Sequence, residues 1–191
     1  MATRSGERKN QILQVLAEML QAPKSEKITT AALAARLEVS EAALYRHFAS
    51  KAQMYEGLIG FVEETVFGLI NKISAEQESG LKQTHAIAAM LLSFAEKNPG
   101  MTRVLIGDAL VNEDERLQAR INQLHDRLEA TLKQSLRQAL TQGEIDKDAD
   151  VPAQANLMLA YIIGRWHQYA KSGFKRLPTE LWQKQGPMLL G

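Results

Sequence analysis

Residues 28–51, ITTAALAARLEVSEAALYRHFASK, decide how the rest of the chain is read. Thr29 or Thr30 suits the cap of a short helix reaching Arg36, because a side-chain oxygen there accepts a backbone N–H left open by the first turn. Ala31, Leu33, Ala34 and Leu37 recur at three- and four-residue spacing and give that helix a small apolar face. Glu38, Val39 and Ser40 form a tight connection, with Ser40 placed to cap a second helix from Glu41 to about His47. Two short helices joined in this way are a helix-turn-helix, whose second helix enters a major groove. Ala34 and Ala35 permit close approach, while Val39 and Leu44 fill the crossing. Ser40, Glu41, Ala43, Tyr45, Arg46 and His47 remain along the outer side, a set able to reach phosphates and base edges. Alanine-rich helices with polar caps also suit an ordinary bundle hairpin, so the local pattern leaves both uses open.

The 191 residues are enough for one domain or for a small head on a larger body. The absence of cysteine excludes disulfides and thiolate metal sites and fits a reducing cytoplasm. No apolar run precedes a small-residue cleavage site, and no stretch approaches about eighteen uninterrupted apolar residues. Neither a secreted nor a membrane-spanning protein is expected. The net charge of +1 is unevenly divided: residues 1–51 hold eight basic and five acidic side chains, whereas the rest hold fifteen and seventeen. The basic surplus therefore sits with the suspected reader. It is too small for strong binding by one head, which favours a dimer presenting two.

An amphipathic helix begins near Glu7, with Ile12, Leu13, Leu16, Ala17, Met19 and Leu20 as its apolar positions. Arg8 and Lys9 at its start oppose the helix dipole but suit a phosphate backbone. Pro23 and the polar stretch to Lys27 close it. Phe48 should plug the head, and Ser50 should cap a long helix to about Ala75. Phe61 and Phe67 fall beside its main stripe and suit a core, a helix contact or a partner groove. Another helix is expected from Leu81 through Glu96, and Asn98-Pro99-Gly100 is a clear punctuation. A short apolar helix, Met101 to Val111, should then precede a leucine-striped one from Arg116 to about Thr141. Pro152 opens a further helix to about Lys171, and only Thr179 to Lys184 suits helix after it.

The two long carboxy-terminal helices carry more apolar surface than one narrow face needs. Leu117, Ile121, Leu124 and Leu128 on the first, with Leu157, Tyr161 and Trp166 on the second, mark the expected dimerisation surface of a four-helix interface. A thicker monomeric bundle is the alternative.

Chemistry of other kinds finds no purchase. The chain has no phosphate loop, dinucleotide fingerprint or metal-spaced histidine group, and His47, His85, His125 and His167 are far apart. Neither enzyme activity nor a cofactor is expected. A ligand-controlled body would need a cavity, which Met90, Phe94, Met101, Met158 and Trp166 suit either to line or to fill. Filling is favoured, because methionine and aromatic side chains pack irregular cores well.

The segment ITTAALAARLEVSEAALYRHFASKAQMYEGLI resembles the DNA-binding head of the TetR repressor family. That resemblance implies an all-α, TetR-like fold: a three-helix helix-turn-helix head over residues 1–51 and a helical dimerisation and partner-binding body over 52–191. It implies that Thr30 and Ser40 cap and contact the DNA backbone, and that Ala43 and its neighbours face the major groove. Tyr45, His47 and Lys51 would clamp phosphates, with Arg8, Thr29, Glu41 and Arg46 completing the DNA-binding set. The strings VSEAALYRHFASK, EKNPGMTRVLIGDAL, ERLQARINQLHDRLEATLKQSLR and SGFKRLP are similar to the nucleoid-occlusion branch of that family. This implies a cytoplasmic, nucleoid-associated homodimer on palindromic double-stranded DNA, with several dimers able to share a site. It also implies contact with the C-terminal tail of the division protein FtsZ and inhibition of division-ring assembly. Phe61, Lys97 and Asn98 match positions of the tail groove, and Met90 is grouped with them. Leu69 and Ser93 depart from an arginine and a glycine in a better-known member. A ligand-responsive repressor using the same head is the competing use.

Overall fold

The computed structural model describes residues 3–22 and 28–190, with side chains from residue 6 onward. Every regular element among the described residues is helical, as the all-α expectation requires. The chain packs as two units, Met1–Val62 with Pro99–Ile121 and Glu63–Asn98 with Asn122–Gly191. The described residues of the expected head, 1–51, fall within the first unit, which also takes in later segments of the chain.

The first unit holds α1 (Thr3–Met19), α2 (Thr30–Arg36), α3 (Glu41–Tyr45), the start of α4 (Lys51–Glu76), α6 (Pro99–Leu105) and the start of α7 (Glu115–Thr141). Ile12, Leu16, Leu33, Leu44, Phe48, Met54, Leu58 and Ile59 are buried there. Removal of each such side chain from water is worth about 1.5–3 kcal/mol, which holds these short helices in place when propensity alone does not. Helix α1 starts earlier than Glu7, because adding a residue to a formed helix closes one hydrogen bond for each residue fixed. The stretch Pro23 to Lys27, expected to end α1, lies outside the described residues, and α1 has already closed at Met19. Ser50 caps α4 as expected: its hydroxyl accepts Gln53 N–H, and the Gln53 amide oxygen accepts Ala49 N–H.

The expected helix Met101 to Val111 is divided. Gly107 takes a left-handed conformation (φ 77°), and the chain turns into a short 3-10 helix, Asp108–Leu110. Only a residue that tolerates positive φ can make that turn cheaply.

The second unit contains the remainder of α4 and α7, with α5 (Gly80–Lys97), α8 (Val151–Lys171) and α9 (Trp182–Leu190). Asp150 caps α8 by accepting Ala153 N–H at 3.0 Å. Within this core Trp166 donates its indole N–H to Leu91 O, and Tyr169 donates its hydroxyl to Glu96 O at 2.9 Å. Arg165 is buried yet satisfied, donating to Pro178 O and Leu177 O and pairing with Glu180. Helix α9 runs through Gly186 and Pro187, where the sequence suggested a stop. Trp182, Gly186 and Leu190, four apart, share one buried face, and that packing outweighs the poor local propensity.

Most of the expected dimerisation set must be reassigned. Leu117, Ile121, Leu124, Leu128 and Trp166 are each 1% exposed within a single chain. Side chains already covered by their own protomer have no surface to offer a second one, so these five are core. Leu157, at 54% exposed, retains an outward position on α8, whereas the part-exposed Tyr161 also leans on α9, its hydroxyl donating to Gln185 at 2.8 Å and its ring 5.9 Å from that of Trp182.

Candidate nucleic-acid interface

The reader is built by two caps and a sharp reversal. Thr29, not Thr30, caps α2, its hydroxyl accepting Ala32 N–H at 3.1 Å. At the other end Val39 N–H reaches Ala34 O and Glu38 N–H reaches Ala35 O, the paired bonds of a Schellman stop. Glu38 adopts φ 55°, a region that costs a non-glycine residue roughly 1 kcal/mol or more. The turn is thereby held at a defined angle. Ser40 then caps α3, accepting Ala43 N–H at 3.3 Å.

Thr30 does something else: its hydroxyl donates to the Glu41 carboxylate at 2.5 Å and ties α2 to the first turn of α3. Helix α3 ends at Tyr45, short of the expected His47, because both His47 N–H and Phe48 N–H turn back to Leu44 O. That turn sends Phe48 into the core beside the buried Leu44. Of the two alanines expected to pack closely, Ala34 is buried and Ala35 exposed, and Ala31, expected on the apolar face, is exposed as well, since the face of α2 centred on Leu33 and Leu37 turns inward.

With Leu44 anchored inside, Ser40, Glu41, Tyr45 and Arg46 stand exposed, and Ala43 and His47 are partly so. Tyr45 is 45% exposed, a large aromatic ring left facing solvent. These six residues lie on the turn, on α3 and just beyond its end. Arg8 lies on α1, with its guanidinium on Gln11 of the same helix. Its neighbour Lys9 places its ammonium 5.7 Å from the Phe48 ring centre, a cation–π approach.

Lys51, the expected phosphate clamp, opens α4 and is engaged. Its ammonium pairs with Glu113, 62 residues away, and lies 5.6 Å from the Tyr55 ring centre. Burial, reinforced by the Glu113 charge, pushes the Tyr55 phenol up, so its hydroxyl stays protonated and neutral. No local pattern in the sequence announces Glu113, since it joins the reader only through the fold.

The residues expected to bind a partner are distributed. Phe61, in the first unit, is 48% exposed. In the second unit Lys97 is exposed and Met90 is partly exposed. Asn98 ends α5, where its side-chain amide donates to Phe94 O at 2.7 Å. Leu69 is 40% exposed. Among the described residues no cluster of three acidic, histidine or cysteine ligands occurs, and no helix is long and apolar enough to cross a membrane.

Residues 12–58 match the model of bacterial regulatory proteins of the tetR family, and residues 76–191 match the SlmA-like tetracyclin repressor-like C-terminal domain. The chain is 49% identical over 185 residues to the nucleoid occlusion factor SlmA of Idiomarina loihiensis, covering 97% of this chain and 94% of that protein. The chain belongs to the TetR family, among the SlmA nucleoid occlusion factors. The SlmA of Alteromonas mediterranea is 50% identical over 184 residues, with 96% and 94% covered. The fold itself recurs in a TetR transcription regulator from Haloarcula marismortui, at a TM-score of 0.79 and 15% identity over 97% of both chains. In this family setting, the exposed residues between Ser40 and His47 belong to the segment matched by the tetR-family model.

Proposed function

We propose that the chain acts as a nucleoid occlusion homodimer. Two heads hold a palindromic duplex, while the C-terminal tail of FtsZ docks on the protein and division-ring assembly over the chromosome is inhibited. The observation that carries this reading is identity near one half to SlmA proteins across head and body together, rather than across the head alone. Ser40, Tyr45, His47 and Lys51 contact backbone phosphates, and Ala43 and Arg46 lie against the groove. Arg8, Thr29, Thr30 and Glu41 shape or extend that surface. Its place of action is the cytoplasm, on the nucleoid.

Within the second unit Met90 offers the tail an apolar contact, Lys97 a cation for acidic groups and Asn98 a polar contact, and Phe61, in the first unit, offers an apolar contact of its own. The dimer forms through the outward side of α8, where Leu157 and Tyr161 are joined by exposed Ala160 and Gly164. Several dimers on neighbouring sites raise the local concentration of captured tails. The competing reading, a ligand-responsive repressor, needs an internal cavity, but Phe94, Met158 and Trp166 are buried as packing side chains.

The test is an ordered titration onto a labelled palindromic duplex, followed by the FtsZ tail peptide. A ternary complex that retains DNA is expected. Substitution Lys97→Glu should abolish tail capture and spare DNA binding, while Tyr45→Ala should do the reverse. Absence of any tail association, with DNA released by a metabolite, would overturn the reading.

A further inference from the structure

The pairing of Lys51 with Glu113 has a bearing on how the head engages DNA. Both side chains are largely withdrawn from water, at 19% and 11% exposed. A pair this sheltered is screened less than an exposed one and binds its partners more firmly. Lys51 also stands at the first residue of α4, where the helix dipole disfavours a cation. Its position is therefore stabilised chiefly by the carboxylate.

Glu113 is presented by well-defined backbone. Its N–H bonds Leu110 O at 3.0 Å, its neighbour Asn112 is left-handed (φ 63°), and Asp114 accepts Arg116 N–H at the start of α7. The carboxylate is thus held at the ammonium by a shaped turn and not by a wandering loop. On the other side the Tyr55 ring faces the cation. Lys51 and Glu113 together carry no net charge, so in this state Lys51 releases little of the counterion atmosphere that a lone lysine on a phosphate would release.

We propose that Glu113 masks Lys51 in the DNA-free head, and that a duplex phosphate engages Lys51 only by displacing the Glu113 carboxylate. This rests on the reading of Lys51 as a phosphate clamp. Glu113 is then a brake on DNA affinity. Its release on binding loosens the turn from Gly107 to Asp114.

The experiment is salt-dependent DNA titration of the full chain with Glu113→Gln, Lys51→Met and the double variant. Glu113→Gln should bind at least about threefold more tightly at low salt, with an unchanged log K against log salt slope, because Lys51 reaches the same phosphate in both proteins. Lys51→Met should bind more weakly, and Glu113→Gln should add nothing on the Lys51→Met background. Unchanged or weaker binding by folded Glu113→Gln would overturn the mask, as would the same gain without Lys51. Wild-type binding by Lys51→Met would instead overturn the clamp reading beneath it. Should Glu113→Gln fail to fold, hydrogen exchange over residues 107–115 of the native chain decides: faster exchange on adding duplex is expected, and slower or unchanged exchange contradicts the proposal.

Discussion

Thr30 on α2 donates its hydroxyl to the Glu41 carboxylate at the start of α3, across the turn that joins the two helices. The bond joins two helices too short to hold their own angle, while Leu33 and Leu44 secure the crossing from inside. Replacing Thr30 by valine keeps the shape and removes the donor. Circular dichroism should show unchanged helical content. DNA affinity, measured by anisotropy, should fall about three- to tenfold, in line with about 1 kcal/mol for one hydrogen bond.

Leu124 and Leu157 separate core from outer surface. Leu124 is 1% exposed and Leu157 54%. Leu124→Ala should cost about 2–5 kcal/mol in denaturant unfolding, as for other buried leucines. Leu157→Glu should leave a folded chain and shift sedimentation toward the monomer. A stable, fully dimeric Leu157→Glu would remove α8 from the dimer surface.

Gly100 lies in α6 where α1 passes closely: a Cβ there would come within 1.9 Å of Ala17 O. Helix propensity alone favours alanine over glycine by about 1 kcal/mol. Here the backbone clash should reverse that sign and destabilise Gly100→Ala by about 2 kcal/mol or more. Gly68→Ala in α4, with nothing near its Cβ, should be neutral or stabilising in the same thermal melts.

Asp114 supplies a pH signature. Hydrogen bonds from the Arg116 guanidinium and backbone hold its carboxyl down to about 2. Because the folded value lies below the unfolded one, the stabilising contribution is present above pH ~4 and fades as pH falls toward 2. Carbon-detected NMR should find the Asp114 midpoint near 2, moving up toward the ordinary carboxylate range in Arg116→Met. A native midpoint near 4 would remove the bond from solution.

Much of this molecule could be read from residue spacing, and the failures have physical causes. Ser40, Ser50 and Pro152 marked helix starts because capping is local chemistry. Leucine periodicity on α7 identified a buried face correctly but could not say whether the same chain or a second copy covers it. Both produce the same stripe. Lys51 with Glu113 was invisible, since the partners are 62 residues apart and neither sits in a pattern. Pro187 misled because tertiary packing of Trp182 and Leu190 outweighs one unfavourable residue.

The exposed residues from Ser40 to His47 are expected to read DNA as one of a symmetric pair. Selection of bound duplexes from a randomised pool tests this most directly, with Tyr45→Ala beside the native protein. The native chain should enrich a palindrome bound by two or a multiple of two copies, and Tyr45→Ala should enrich nothing. A sequence without two-fold symmetry, or equal enrichment by Tyr45→Ala, would contradict that expectation.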